Sequence, residues 1–138
     1  MKVLIVEDER VSREKLYGIM QEYAECHVAA RGAEALGAFK KSWEQQSPYD
    51  IVTLDIGLGD ISGTDVLVSM REMEEGMRIP PAKRVKVIMV TAHSDTNCVT
   101  ACVTARCDGY IIKPFTRESI KKCLYEVYLE YINALFRE

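Results

Sequence analysis

The sequence predicts an α/β fold, a three-layer doubly wound sandwich in which helices cover both faces of a five-stranded parallel sheet. Short apolar runs rich in Val and Ile, such as residues 3–6 and 85–90, are typical of strands buried on both faces of such a sheet. These runs alternate with segments that have the apolar spacing of amphipathic helices. Five alternations without an internal repeat predict one sheet joined by right-handed crossovers.

The predicted strands lie at residues 2–6, 27–30, 50–54, 85–90 and 110–112. The second is weak and the fifth is short. The first three helices should bury faces made of Leu16, Ile19, Met20 and Tyr23, then Ala35, Leu36, Phe39 and Trp43, then Val66, Leu67, Met70 and Met73. A fourth helix is expected at about residues 96–106.

Two further segments complete the predicted domain, which spans residues 1–138. Residues 74–84 contain Gly76 and two prolines, and we expect a surface insertion there. The last helix is expected at about residues 117–136, with Thr116 and Ser119 as candidate caps and Glu118 in its first turn. Its apolar spacing fits either one long helix on the sheet or an overhang that meets a partner or a second copy.

Composition narrows the class of protein. Apolar residues make up 48% and charged residues 28% of the chain, which is typical of a globular domain. A net charge of −3 argues against nucleic acid as a direct partner. No apolar stretch approaches transmembrane length and the N-terminus has no signal-peptide pattern, so we expect a cytoplasmic protein without a membrane partner. The five cysteines include no C-x-x-C pair and are expected to be reduced structural thiols.

Acidic residues follow two of the predicted strands. Glu7 and Asp8 come directly after the first strand, and Asp55 follows the third. Since functional crevices of such sheets lie beyond the carboxyl ends of the strands, three carboxylates should share one small volume. Their mutual repulsion is relieved by a cation, and oxygen ligands of this kind suit Mg²⁺. The pattern therefore indicates metal-assisted phosphate chemistry.

Two more strands end in polar groups. Thr91 follows the fourth strand, and Lys113 follows the fifth. Strand ends often face water and are often polar, but four polar ends in one sheet are better explained by a common site. We therefore group the hydroxyl and the amine with the acids.

This ordered set resembles a known family. Glu7-Asp8, Asp55, Thr91-Ala92 and Lys113-Pro114-Phe115, with Tyr110 three residues before the lysine, resemble the receiver domain of bacterial two-component response regulators. The resemblance covers residues 2 to about 135 and implies the flavodoxin-like strand order 2-1-3-4-5. It implies a single stand-alone receiver domain, similar to the chemotaxis regulators.

The resemblance implies a role for each acid. Asp55 would be the phosphoacceptor, attacking the phosphorus of a phosphohistidine to form an acyl phosphate. Glu7, Asp8, Asp55 and the carbonyl of Gly57 would hold Mg²⁺ or another divalent cation such as Mn²⁺. The protein would not be an enzyme in the usual sense, but a phosphoacceptor that assists its own phosphorylation and dephosphorylation.

The resemblance also implies how a signal leaves the site. Lys113 would contact a phosphate oxygen, and the hydroxyl of Thr91 would donate a hydrogen bond to the phosphoryl group. Tyr110 would then move into the space that Thr91 leaves. This switch would repack the face formed by the fourth helix, the fifth strand and the last helix. The Lys113–Pro114 peptide would be cis.

The implied partners are proteins. The phosphoryl donor would be a sensor histidine kinase or a histidine phosphotransfer protein, and a downstream protein target would bind the repacked face. The last helix could also form a homodimer.

Some residues depart from the family pattern: Gly59 replaces a usual proline, residues 106–109 differ before the fifth strand, and Gly57 and His93 lie where side chains influence water access.

Three alternatives remain at this point. A flavodoxin-like FMN carrier needs a first loop that cradles phosphate, whereas Glu7, Asp8 and Glu9 would repel one. A haloacid-dehalogenase-type phosphatase needs a second aspartate two residues after the nucleophile, where this chain has Gly57. A degenerate receiver would bind partners without phosphorylation, which the intact set of acids, Thr91 and Lys113 disfavours.

Overall fold

The computed structural model describes residues 1–92 and 106–135. Within them, five strands form one sheet: β1 (Lys2–Val6), β2 (Glu25–Ala29), β3 (Ile51–Asp55), β4 (Lys86–Thr91) and β5 (Gly109–Ile112). All neighbouring strands are parallel and the order is β2-β1-β3-β4-β5. The predicted fold class and strand order are therefore confirmed.

Helices pack on both faces of the sheet. Those described are α1 (Arg10–Met20), α2 (Gly32–Glu44), α3 (Gly63–Gly76) and the last helix (Arg117–Leu135), with a short 3₁₀ turn at Pro81–Lys83. One core cluster joins the sheet to α2 and α3, and the other joins it to α1 and the last helix. The predicted fourth helix lies outside the described residues, apart from Arg106.

The register of the sheet gathers the predicted site at one edge. Val6 pairs with Leu54, Asp55 pairs with Val90, and Thr91 pairs with Ile112. The carboxyl ends of β1, β3, β4 and β5 therefore lie side by side. Each of these strands either ends in one of the polar groups that the sequence singled out or is followed directly by one.

Several boundaries differ from the sequence prediction. Helix α1 ends at Met20, so Tyr23 does not extend its buried face and is 43% exposed. The chain turns at once, since the amides of Tyr23 and Ala24 both donate to the Met20 carbonyl, and β2 begins at Glu25. This edge strand is largely exposed, which explains its weak apolar signal.

The segment predicted as an insertion at residues 74–84 begins later than expected. Helix α3 continues through Gly76, and Glu74 is fully buried in it. The capping prediction for the last helix is confirmed, because the Ser119 amide donates to the Thr116 hydroxyl and the Thr116 amide donates to the Ser119 hydroxyl. None of the described helices is both long enough and apolar enough to cross a membrane.

Candidate functional site

Three acids meet at the carboxyl edge of the sheet. Glu7 follows β1 and is fully buried, Asp55 ends β3 and is 7% exposed, and Asp8 is exposed. One carboxylate oxygen from each lies within 4.8 Å of the others. The sequence prediction that these acids share one small volume is therefore correct in its geometry.

The amine of Lys113 reaches the same acids from β5. Its Nζ lies 3.6 Å from Oδ2 of Asp55 and also contacts Oε1 of Glu7. The Lys113–Pro114 peptide is cis, as predicted from the resemblance. The side chain is only 17% exposed, so its positive charge is held close to the two buried acids rather than in open solvent.

Burial and mutual contacts shift the pKa values of this cluster. Burial first, and then a hydrogen bond with Asp55, raise the pKa of Glu7 to about 8 against the opposing effect of Lys113. Burial alone would raise the pKa of Asp55, but hydrogen bonds from Glu7 and from the Gly57 amide, together with the charge of Lys113, hold it below its ordinary value. Of the two buried acids, Glu7 is therefore the one that holds a proton more readily and Asp55 the one that ionises more readily.

The pKa of Lys113 is also set by burial and by neighbouring charges, which act on it in opposite directions. Burial would lower the pKa of Lys113, yet the neighbouring carboxylates of Glu7 and Asp55 outweigh it and raise that pKa. The amine therefore stays charged over the physiological range. An ionised Asp55 facing a charged Lys113 is the protonation state that a phosphoacceptor requires.

Backbone hydrogen bonds hold the strand ends together. The Lys113 amide donates to the Thr91 carbonyl at 2.7 Å, and the Ile56 amide donates to the Val90 carbonyl at 3.2 Å. Thr91 itself is 5% exposed at the end of β4. Thr91 and Lys113 are therefore neighbours in the backbone along the edge that also carries Asp55.

The loop after Asp55 is shaped by glycine. A Cβ on Gly63 would lie 2.2 Å from the Asp55 carbonyl oxygen and 2.8 Å from the Ile56 Cα, so a side chain cannot fit there. The Gly63 amide donates to the Ile56 carbonyl at 2.9 Å, and the Gly57 amide donates to Oδ1 of Asp55 at 3.1 Å. This close return of the chain fixes the loop beside the carboxylate.

Helix α1 holds the two flanking loops. The guanidinium of Arg13 donates to the carbonyls of Glu7 and Asp8 at 3.1 and 3.3 Å. The amine of Lys15 donates to the Phe115 carbonyl at 2.7 Å and lies 4.7 Å from the centre of its ring. Sequence reasoning missed both residues, since a basic residue on an exposed helix face gives no signal of its backbone partners.

Of the two predicted switch residues, Thr91 ends β4 and Tyr110 lies within the neighbouring strand β5. Tyr110 in β5 pairs with Met89 and is half-buried against the core cluster on the α2 and α3 side. Its movement, and the hydrogen bond expected from the Thr91 side chain to a phosphoryl group, stay predictions. His93 and most of the fourth helix of the predicted output face lie outside the described residues.

The donor set fits a hard divalent cation. Three carboxylates, two of them buried, supply oxygen ligands of the kind that Mg²⁺ prefers. Burial raises the pKa of Glu7, and repulsion by the neighbouring Asp55 carboxylate adds to that rise. A cation would relieve that repulsion, so the site is compatible with divalent cation binding.

A parallel sheet in this order, with acids, a hydroxyl and a lysine at its carboxyl edge, defines a class of flavodoxin-like α/β domains. The model of the response regulator receiver domain matches residues 3–125. The chain belongs to this family.

Relatives in the family differ in length. The chain is 33% identical over 134 residues to the sensory transduction protein LytR of Staphylococcus haemolyticus, covering 97% of this chain but 48% of that protein. It is 28% identical over 130 residues to the chemotaxis protein CheY-3 of Vibrio cholerae, covering 93% of this chain and 92% of that protein. The chain thus spans about half of the first relative and nearly all of the second.

Solved structures support the fold. The chemotaxis protein CheY4 of Vibrio cholerae superposes with a TM-score of 0.76 at 24% identity, covering 91% of this chain and 97% of that one. At this identity the similarity shows the fold alone.

Proposed function

We propose that this protein is a phosphorylation-dependent switch in which Asp55 accepts a phosphoryl group from a phosphohistidine donor. The observation that carries the proposal is the contact of the nearly buried Asp55 carboxylate with Lys113, within 4.8 Å of two further acids. An ionised carboxylate beside a fixed positive charge can attack an anionic phosphoryl group that would otherwise repel it.

The transfer forms one bond and breaks one. An Asp55 oxygen bonds to phosphorus while the bond from phosphorus to the donor imidazole nitrogen breaks, and the imidazole leaves with that electron pair and takes up a proton. Lys113 faces the oxygens of the incoming group and offsets their charge. The hydroxyl of Thr91, at the end of the neighbouring strand, donates a hydrogen bond to the bound phosphoryl group.

Glu7, Asp8, Asp55 and the carbonyl of Gly57 would hold the divalent cation, Mg²⁺ or Mn²⁺. When bound, the cation neutralises charge on the transferring oxygens and on the acids themselves. The chain is then a phosphoacceptor that assists its own phosphorylation and dephosphorylation, rather than an enzyme with a separate substrate.

Output should pass through a protein surface. We propose that this protein is cytoplasmic and that a sensor histidine kinase or histidine phosphotransfer protein supplies the phosphoryl group. The downstream target then binds the face that includes β5 and the outer side of the last helix. The partly buried Tyr110 in β5 is the residue suited to report the state of Thr91 to that face. The outer side of the last helix would alternatively form a homodimer.

The test is incubation with acetyl phosphate or beryllofluoride, with and without Mg²⁺, followed by intact mass and amide spectra. A Mg²⁺-dependent gain of one phosphoryl group that is lost in Asp55→Asn supports the proposal. Asp65→Asn, an exposed acid in the first turn of α3, is the matched control and should behave as wild type. Unchanged wild-type protein under all conditions would instead indicate a degenerate receiver, and turnover of an aryl phosphate would indicate a phosphatase.

A further inference from the structure

Helix α2 begins without a cap of its own. The residue before its first turn is Arg31, whose side chain makes no capping hydrogen bond. The first amides of a helix have no partner within the helix and need an acceptor from outside it. The absence of Ser, Thr, Asp or Asn at this position means that the acceptor must come from another part of the chain.

Asp60, in the loop after Asp55, supplies that acceptor. Its Oδ1 accepts from the Gly32 amide at 2.9 Å, and its Oδ2 accepts from the Ala33 amide at 3.0 Å. Both carboxylate oxygens are therefore used, one on each of two successive helix amides. The hydrogen bonds from these amides lower the pKa of Asp60 to about 2, and the bond from Ala33 has the larger effect. The carboxylate of Asp60 is therefore ionised at neutral pH.

The two elements are in close contact at this point. A Cβ on Gly32 would lie 2.8 Å from Cγ2 of Val66 and 3.2 Å from the Cβ of Ile61. The first turn of α2 therefore rests directly on the end of the loop and on the first turns of α3. A residue that bonds across this contact fixes the position of the loop and not only the end of the helix.

The loop that Asp60 fastens is the one that carries Gly57. At its start the Gly57 amide donates to the Asp55 carboxylate, and at its end the Gly63 amide donates to the Ile56 carbonyl. Between them, Gly59 is surrounded by open space and contributes no side-chain contact. Asp60 thus attaches the middle of the loop to a separate helix by hydrogen bonds, beside the apolar packing of Leu58 and Ile61 against the core.

We propose that Asp60 is a positioning residue for the cation site, because its carboxylate clamps the Asp55–Gly63 loop to the first turn of α2 and so places Gly57 beside the three acids. The inference rests on the proposed function, since it assigns the clamp to the same Mg²⁺ site. Groups that orient metal ligands in this indirect way typically change metal affinity about 10- to 100-fold when removed.

The experiment compares Asp60→Ala with two controls. Glu34→Ala removes the other carboxylate at the start of α2, which accepts from the Ala30 amide at 3.3 Å and does not hold the loop. Glu72→Ala removes the same charge from an exposed position on α3. The readouts are Mg²⁺ affinity from amide spectra, the urea midpoint without metal, and hydrogen exchange at the Gly57 amide without metal.

We expect Asp60→Ala to weaken Mg²⁺ binding about tenfold and to speed exchange at Gly57. Asp60→Asn, which keeps one acceptor oxygen, should fall between it and wild type. Glu34→Ala should lower the urea midpoint with Mg²⁺ affinity within about twofold of wild type, because it loosens the helix start alone. The Glu72→Ala result measures the long-range effect of one lost charge.

Two results would separate the inference from the proposed function. If wild-type protein binds Mg²⁺ and Asp60→Ala binds it as well as the two controls do, the clamp only stabilises α2 and the inference is wrong. If wild-type protein binds no Mg²⁺, the proposed function fails. Hydrogen exchange at the Gly57 amide then tests whether Asp60 holds the loop. Unchanged exchange in Asp60→Ala would show that it does not, and faster exchange would show that it does.

Discussion

The side-chain amine of Lys113 lies 3.6 Å from the carboxylate of Asp55, at the ends of two strands that are not neighbours in the sheet. β4 separates them, so only a long side chain from β5 can cross to β3. The contact brings a positive charge to an acid whose pKa is held below its ordinary value, and that acid in turn raises the pKa of Lys113.

Replacing this amine should slow phosphorylation and leave the fold intact. Lys113→Met keeps the length of the side chain but removes the charge that offsets the phosphoryl oxygens. We expect the Mg²⁺-dependent rate with acetyl phosphate to fall about 100-fold, the scale of losing one charge-stabilising donor. Intact mass against time measures it, and Lys121→Met, an exposed lysine of the last helix, is the control. An unaltered rate in Lys113→Met would remove the lysine from the mechanism.

The buried carboxyl of Glu7 should make stability depend on pH. Its pKa is raised from 4.5 to about 8, so between these values the folded protein holds a proton that the unfolded chain has released. This contribution is fully present below pH 4.5 and is lost as pH rises through 8. Without metal, the free energy of unfolding should therefore decline over this range, and less steeply in Glu7→Gln. Urea unfolding at several pH values tests this, and equal slopes for the two proteins would contradict it.

The same proton should couple cation binding to pH. Because a carboxylate must lose its proton to bind a metal, Mg²⁺ binding near neutral pH should release a proton from Glu7, and affinity should rise as pH approaches 8. Titration calorimetry in two buffers of different ionisation enthalpy measures the number released. Glu7→Gln should bind more weakly and release none. Proton release that persists in Glu7→Gln would assign the coupling to another group.

Much of this site could be predicted from the sequence because parallel strands end at a common edge. Glu7, Asp8, Asp55 and Lys113 each follow an apolar run, and the alternation of strands and helices brings such ends together. The structure confirms their proximity. Once the fold class is known, the positions of these residues along the chain therefore predict that they lie close together in the structure.

The supporting contacts could not be predicted in the same way. Asp60 and Arg13 bind backbone groups of distant elements, and such pairings leave no periodicity in the sequence. One signal was available for Asp60: the start of α2 has Arg31 where a capping residue is usual, which indicates a cap from elsewhere. The end of α1 was overestimated because Tyr23 continues the apolar spacing after the chain has already turned.

The close return of the chain at Gly63 predicts a sharp difference between two glycines of one loop. A methyl group on Gly63 would meet backbone atoms of Asp55 and Ile56, which cannot move without displacing the carboxylate, whereas a methyl group on Gly59 meets nothing within 4 Å. Gly63→Ala should cost about 3 kcal/mol of stability and abolish Mg²⁺-dependent phosphorylation. Gly59→Ala should retain both. Urea midpoints and intact mass decide, and a wild-type result for Gly63→Ala would show that the loop can shift.

A buried ion network should make Arg71 one of the most sensitive positions far from the site. Its guanidinium bonds to the fully buried Glu74 at 2.7 Å and to Asp108 at 3.0 Å, so it joins α3 to the entry of β5. Arg71→Met leaves Glu74 buried and unpaired, which should cost about 3–5 kcal/mol. Adding Glu74→Gln removes the stranded charge while its amide oxygen still accepts from the Val85 amide, so the double variant should regain part of that loss. Urea unfolding of both variants measures the coupling, and simple additivity would show that the charge is not what Arg71 stabilises.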